Sequence, residues 1–447
     1  MRHLQLFTWI IVSVLLSTSQ TLRAEDATLI DIPTAANGMV STQEATATMV
    51  GVEILKQGGN AVDAAVAVGF ALAVTYPRAG NLGGGGFMLI YQAETESATS
   101  IDYRETAPAA AHRDMFLDED GNVDNQKARF SALSSGVPGT VAGMVYAQQK
   151  YGTMPLAKVI QPAIDLAEQG FAVPEELRRS LLWAQKRLTQ HPSSRDIYFP
   201  NGKAPETGSI LKQPELAAVL KAIQKQGHEG FYKGSVAKMI ANDSRNHDGI
   251  ITEQDLANYK AVERVPVSGT YRDHQVIAMP PPSSGGIHLI QMLNIMELWD
   301  MTESGANTAT TINRMVESMK RAYADRSMHL GDPDFYAVPQ DKLIDKAYAG
   351  QLHAEITKQQ VTPSSEIAPV VITQPESPQT THYTVMDRFG NAVANTYTLN
   401  ASFGNGRVAV GTGILMNNEM DDFSSKPGVP NMFGLIGGEA NAIEAGK

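Results

Sequence analysis

The chain has 447 residues, 43% of them apolar and 19% charged, enough for one large mixed core or two smaller ones and not a disordered composition. Its formal charge of −11 argues against nucleic acid as a partner, and the absence of cysteine excludes thiol nucleophiles, disulfides and thiolate metal sites. The ten histidines show no metal-ligand spacing, so neither a metal nor another cofactor is expected.

Met1, Arg2 and His3 precede an apolar run at 6–16 and then small and polar residues as far as Ala24, the pattern of a secretory signal peptide over 1–24. A membrane anchor is the other reading. The run is short for a bilayer, and no other long uncharged apolar stretch follows, so no stable membrane span is expected and the mature chain is placed in the periplasm or outside the cell. Loss of Arg2 and Arg23 with that segment takes the charge from −11 to −13.

Ser41 or Thr42 is expected to cap a helix through Met49, Val52, Ile54 and Leu55 that stops at Gly58-Gly59. Residues 61–74 are apolar nearly all round, which predicts a buried helix, with Asp63 either capping its first turn or meeting a backbone donor. The four glycines at 83–86 open a strand at 87–91, not a helix, so close backbone packing is favoured over a phosphate cradle. Residues 100–103 read as a strand, and Arg104 at its end is either a solvated charge or an anion-binding group. Helical patterns follow at 140–150, 155–169, 214–226, 235–241, 287–299 and 308–326, with a capped helix near 251–256. Ser283 and Ser284 lie in a Pro- and Gly-rich break but lack the spacing of a nucleophile elbow. Residues 361–379, rich in Pro, Ser and Glu, read as an exposed linker.

A hairpin signal begins where that linker stops. Alternation runs through Thr381, Tyr383 and Val385 to Asp387, and resumes from Ala392 to Asn400. Gly390 can supply the left-handed residue of a three-residue loop, which sets Asp387 opposite Asn391 and Thr380 opposite Thr398, with Asn400 just beyond. By itself such a threonine pair is ordinary in a strand. His382, next in sequence to this pair, is either a base or a packing residue.

The stretches ESPQTTHYTV, GNAVANTYTLN and GILMNNEMDDFSSKPGVPN, together with GGNAVDAAVA, GGGGFM and RETAP, strongly resemble the γ-glutamyltranspeptidase family of N-terminal nucleophile hydrolases. The resemblance runs from about residue 30 to the last. It implies an α+β fold, a four-layer αββα sandwich with two central, mainly antiparallel sheets. It also implies a precursor that cuts itself between Gln379 and Thr380, dividing a large-subunit region at 25–379 from a small-subunit region at 380–447. Thr380 would then form a γ-glutamyl ester, with Thr398 orienting its hydroxyl. A threonine freed at a chain start carries its own base, an α-amine whose pKa as a class lies near 8. The substrate so implied is a small molecule, glutathione or another γ-glutamyl compound, with water, an amino acid or a peptide as acceptor. Arg104 would grip the α-carboxylate, since a planar guanidinium fork matches two carboxylate oxygens. Asn400, Glu419 and Asp422 would receive the ammonium.

The sequence departs from the family in two places. Phe433 stands where relatives can carry a tyrosine over the site. The family's Ser-Ser pair, which helps hold the α-carboxylate, and its Gly-Gly oxyanion pair lie in a segment this sequence does not contain, and 423–447 show no strong strand or helix pattern. The expectation is therefore a fold incomplete at the C-terminus and a form ending at Lys447 that is inactive and poorly folded, since one oxyanion donor is worth roughly a hundred- to a thousandfold in rate. The alternatives are a truncated, catalytically silent relative and an exported solute-binding protein for γ-glutamyl or amino-acid ligands.

Overall fold

Polar and apolar residues alternate along both arms of the expected hairpin, and in the computed structural model, which describes residues 34–356, 360–367 and 380–447, both arms are strands. Six strands form one sheet: β1 (Gly38–Ser41), β2 (Gly85–Gln92), β3 (Ser97–Tyr103), β4 (Val262–Arg264), β5 (Thr381–Asp387) and β6 (Ala392–Thr398), in the order β1-β5-β6-β2-β3-β4. Every neighbouring pair is antiparallel. The hairpin β5-β6 pairs Thr381 with Tyr397 and Tyr383 with Asn395, in the register set by its loop. Across that loop the Asp387 amide donates to the Asn391 carbonyl at 3.0 Å, and Gly390 takes a φ of 87° that a larger residue adopts poorly.

The hairpin lies in the middle of the sheet, so residues on both sides of the expected cleavage point share one hydrogen-bonded layer. Gly38–Lys447 form one compact unit. Of the two central sheets expected, the described residues build this one. The remaining pairings, Phe171–Ala172 with Ile210–Leu211, Val267–Tyr271 with His274–Ala278 and Val408–Ala409 with Ile414–Leu415, are each two strands wide.

Helices cover one face of the sheet. Helix α1 spans Ala45–Lys56, α2 Ala61–Thr75 and α3 Thr140–Tyr151. Every residue of α2 is buried, as its all-round apolar sequence demands, and each fully buried Val, Leu or Phe there contributes about 1.5–3 kcal/mol. Tyr383 and Tyr397 reach from the sheet to donate to the Ala65 and Gly69 carbonyls of α2, both at 2.9 Å. Gly69 is required at that contact, because a Cβ would lie 2.8 Å from the Tyr383 hydroxyl.

Asp63 does both things expected of it. It closes a capping box with Asn60 and also accepts from the Thr153 and Met154 amides at 3.0 and 2.9 Å. The cap of α1 differs from expectation: Glu44, not Ser41 or Thr42, accepts from the Thr46 and Ala47 amides. Thr42 instead bonds the amide and carbonyl of Glu44 and so positions the cap. The glycines at 83–86 serve close packing, since a Cβ on any of them would meet a backbone or carboxylate oxygen within 2.4 Å.

The long helix Ala309–His329 is capped by Thr308, and Ser284–Met296 by Ser283, one helical turn earlier than its apolar pattern suggests. The described start of the linker is fastened to the long helix, where Glu317 accepts from the Thr362 amide at 3.0 Å. Residues 423–447 are ordered mainly through backbone bridges, Ser424 with Ala442 and Pro430 with Ile436, and through the Lys447 amine, which donates to the Ala440 and Ala442 carbonyls. The expected signal peptide at 1–24 and Gln379 lie outside the described residues. Among the described residues no helix is long and apolar enough to cross a membrane.

Asp387 joins the hairpin loop to the start of α2: its carboxylate accepts from the Phe389 and Asn391 amides and from the Ala61 amide at 3.0 Å. Asp387→Ala leaves the buried Ala61 amide without its acceptor and removes the two loop bonds, and should destabilise the protein by about 1–3 kcal/mol, read as a shift in the urea midpoint. A change below about 0.5 kcal/mol would show that the loop holds without it.

Candidate active site

The alternation that buries Tyr383 and Val385 against α2 turns Thr380, His382 and Thr384 to the opposite face. There the Thr380 and Thr398 hydroxyl oxygens lie 3.5 Å apart. Thr380 Oγ1 is the donor of that contact, and Thr398 Oγ1 also accepts from the Asn400 amide at 3.0 Å. The Thr398 carbonyl is held by Asn81 Nδ2 at 2.8 Å, and Asn81 Oδ1 accepts from the Gly84 amide and from Thr140. Thr398 is therefore fixed from both its side chain and its backbone.

Arg104 leaves the end of β3 toward the same region, with its carbonyl accepting from the Tyr259 hydroxyl at 2.7 Å and its amide donating to Asp102. Its guanidinium pairs with Glu419 at 2.5 Å and with Asp422 at hydrogen-bond distance. Both acids lie in the turn Glu419–Asp422, a single 3-10 turn that brings positions three apart to one side. Asn400 takes the left-handed conformation at φ 72°, and its Nδ2 donates to the Asn418 carbonyl at 2.9 Å. Asn417 ties the segment down: its Oδ1 accepts from the Gly136 and Glu419 amides, and its Nδ2 donates to the Gly83 and Gly136 carbonyls.

Thr380, Thr398, Arg104, Glu419 and Asp422 line one cavity of about 670 Å³. Of the five residues predicted to bind substrate or orient the nucleophile, Thr398, Arg104, Glu419 and Asp422 share this cavity with Thr380, whereas Asn400 is not part of its lining. Gln379, the other side of the predicted scissile bond, lies outside the described residues. His382 also faces the cavity, but its ring nitrogens are taken up by Thr396 at 2.7 Å and Thr384 at 3.2 Å, and burial lowers its pKa. The arrangement gives it no contact with Thr380, which favours the packing role. Phe433 sits in a turn where Asn431 accepts from the Phe433 and Leu435 amides.

Charge is concentrated in this cavity. Burial works against the Arg104 cation, but Glu419 and Asp422 outweigh it and hold its pKa above the ordinary value. Burial likewise pushes Glu419 well above the usual carboxylate range, against the pull of Arg104. Glu105, which sequence reasoning passed over, is 6% exposed with no partner for either oxygen, and burial raises its pKa to about 8. Its place beside Arg104 in RETAP was visible in the sequence, yet nothing there showed that it points inward. Among the described residues no group of three or more His, Asp or Glu side chains is arranged to hold a metal.

The helix-covered antiparallel sheet, with a threonine pair at the head of its central hairpin, has the fold of the N-terminal nucleophile hydrolases. Within that class the chain belongs to the gamma-glutamyltranspeptidase family, whose profile matches residues 47–447. It is 55% identical to the glutathione hydrolase proenzyme of Escherichia coli (strain K12) over 92% of this chain and 71% of that protein. Its structure resembles that of Helicobacter pylori gamma-glutamyltranspeptidase with a TM-score of 0.74 and 45% identity, over 75% of this chain and 96% of that one. A cephalosporin acylase from Bacillus halodurans matches with a TM-score of 0.80 and 28% identity, over 95% of this chain and 76% of that one.

The raised Glu105 pKa has a definite sign in stability. The folded state binds the proton more tightly than the unfolded chain, so this contribution is complete below the unfolded pKa near 4.5 and is lost as pH rises toward about 8. Glu105→Gln should flatten the decline in denaturation midpoint over that range. An unchanged pH profile in the variant would assign the titration to another group.

Proposed function

We propose that the protein transfers γ-glutamyl groups from glutathione and related compounds, or hydrolyses them, after cutting itself between Gln379 and Thr380. In this reading 1–24 is a signal peptide, 25–379 becomes the large subunit, 380–447 belongs to the small subunit, and the enzyme works in the periplasm or outside the cell. The observation that carries it is the convergence of Arg104, Glu419 and Asp422 on the cavity that holds Thr380 and Thr398.

The chemistry follows from those groups. The freed α-amine of Thr380 takes the hydroxyl proton as Thr380 Oγ1 attacks the γ-carbonyl carbon, while Thr398 orients the hydroxyl. The C–N bond breaks, the amine of the leaving cysteinyl peptide takes the proton, and a γ-glutamyl ester remains. Water or an acceptor amine then attacks the ester, releasing glutamate or a new γ-glutamyl amide and returning the proton to Thr380. An amino-acid head entering the cavity replaces internal pairs with external ones: its carboxylate takes Arg104, and its ammonium takes Glu419, Asp422 and Asn400 Oδ1. A cation clamp beside an anion clamp selects for a free α-amino acid head, which favours γ-glutamyl substrates over the acyl groups suggested by the acylase relative.

Two variants test this. Thr380→Ala should remain one uncut chain, and fragments of unchanged size from it would point to an outside protease. Arg104→Lys should raise KM for a chromogenic γ-glutamyl amide roughly ten- to a hundredfold, the worth of a lost charge-assisted bond, with little change in thermal midpoint. Equal affinity for substrates with and without the α-carboxylate would remove Arg104 from the role.

A further inference from the structure

The proposed chemistry leaves one buried acid of the γ-glutamyl cavity without a task. Glu105 lines that cavity together with Arg104, Glu419, Asp422, Thr380 and Thr398. Its side chain fills space that two glycines leave open: a Cβ on Gly85 would lie 2.4 Å from Glu105 Oε2, and a Cβ on Gly136 would lie 2.8 Å from Glu105 Cβ. Gly85 is the register partner of Thr398 in the sheet. Directly opposed strand residues turn to the same face with β-carbons about 4.5–5.5 Å apart, so the Glu105 carboxyl stands beside Thr398 on the face that carries the hydroxyl pair.

Among the described residues no group satisfies this carboxyl: neither oxygen has a hydrogen-bond partner, although the residue is 6% exposed. The charged groups that face it are committed to one another. Arg104 pairs with Glu419 and Asp422, and Asp102 pairs with Arg264 and accepts from the Arg104 amide. The hydroxyls around it are committed too, Tyr103 to Asn395, Tyr232 to the Pro138 carbonyl and Tyr259 to the Arg104 carbonyl. As an anion Glu105 would therefore be buried without a donor, beside two acids that already share one guanidinium. Burial accordingly raises its pKa to about 8, and at neutral pH the side chain is a carboxylic acid with an O–H to donate.

An amino-acid head has use for such a donor. Its ammonium has Glu419, Asp422 and Asn400 as acceptors, whereas its carboxylate, with about four acceptor positions on two oxygens, has only the Arg104 fork. Building on the γ-glutamyl function, we propose that Glu105 is a further substrate-binding residue, whose O–H donates to the α-carboxylate that Arg104 holds. An ionised Glu105 would repel the same carboxylate. Binding therefore favours the protonated side chain, takes up a proton where Glu105 is half ionised, and weakens as pH rises and that proton is lost.

The test is calorimetric titration of the full chain with L-glutamate, which carries the same head and no amide to cleave. It is run at pH 7 and pH 9 and, at pH 8, in two buffers of different ionisation enthalpy. With Glu105 titrating at about 8, its uncharged fraction falls about tenfold between pH 7 and pH 9, and Kd should rise by about that factor. Glu105→Gln keeps a neutral donor of the same shape and should remove this rise, together with an uptake of about half a proton per glutamate at pH 8. The ligand's ammonium and Glu419 titrate in both proteins, so the difference between the two reports Glu105. Should Glu105→Gln not fold, Glu105→Asn presents the neutral amide on a shorter arm and should lose the same pH dependence. Equal pH dependence in unaltered and variant proteins would overturn the proposal. So would a difference of opposite sign, in which only the unaltered protein releases a proton, because Glu105 would then be accepting from the ammonium. Either result leaves the γ-glutamyl function standing, whereas no binding of L-glutamate by the unaltered protein at any of these pH values would overturn both.

Discussion

The register between β5 and β6 is the constraint on which the rest of the site depends. Strand side chains alternate with a period of two, so a slip of one residue would send Thr380 toward α2 and bring Thr381 into the cavity. Three things hold the register. The Asp387–Asn391 closure with Gly390 left-handed fixes the loop, and Tyr383 and Tyr397 fix the buried face by reaching the α2 carbonyls. β1 and β2 then flank the hairpin, so neither arm is an edge. Thr380, the residue just before β5, thus takes its position from a sheet it does not itself belong to.

The hairpin was legible in the sequence because its determinants are local: alternation, an Asp at one side of the loop, and a glycine at the position needing positive φ. The buried helix Ala61–Thr75 was legible for the same reason, since apolar residues all round leave no face for solvent. Glu44 was missed because Ser41 and Thr42 are better caps by propensity, and nothing local shows that Thr42 spends its hydroxyl on Glu44 itself.

The chemistry of the cavity was legible only through resemblance. Arg104 and Asp422 are 318 residues apart, and no periodicity connects them. The asparagines that build the site, Asn81, Asn417 and Asn418, lie near glycines or turns where such residues usually make loops. Their real task is to satisfy buried backbone groups at the meeting of Gly83, Gly136, Thr398 and Ala401.

Arg104 is neutralised by Glu419 and Asp422, the two carboxylates proposed to receive a substrate ammonium. This solves a problem of burial, because an unpaired guanidinium and unpaired acids in the same cavity would each be destabilising by several kcal/mol. Under the proposed function it also sets a threshold for binding. A ligand with a carboxylate alone would take Arg104 and strand Glu419 and Asp422, and a ligand with an ammonium alone would strand Arg104. A free amino-acid head carries both charges at a fixed separation, so it can exchange every internal pair for an external one. Discrimination against partial mimics then arises from the groups they would leave unpaired as well as from the contacts they lack.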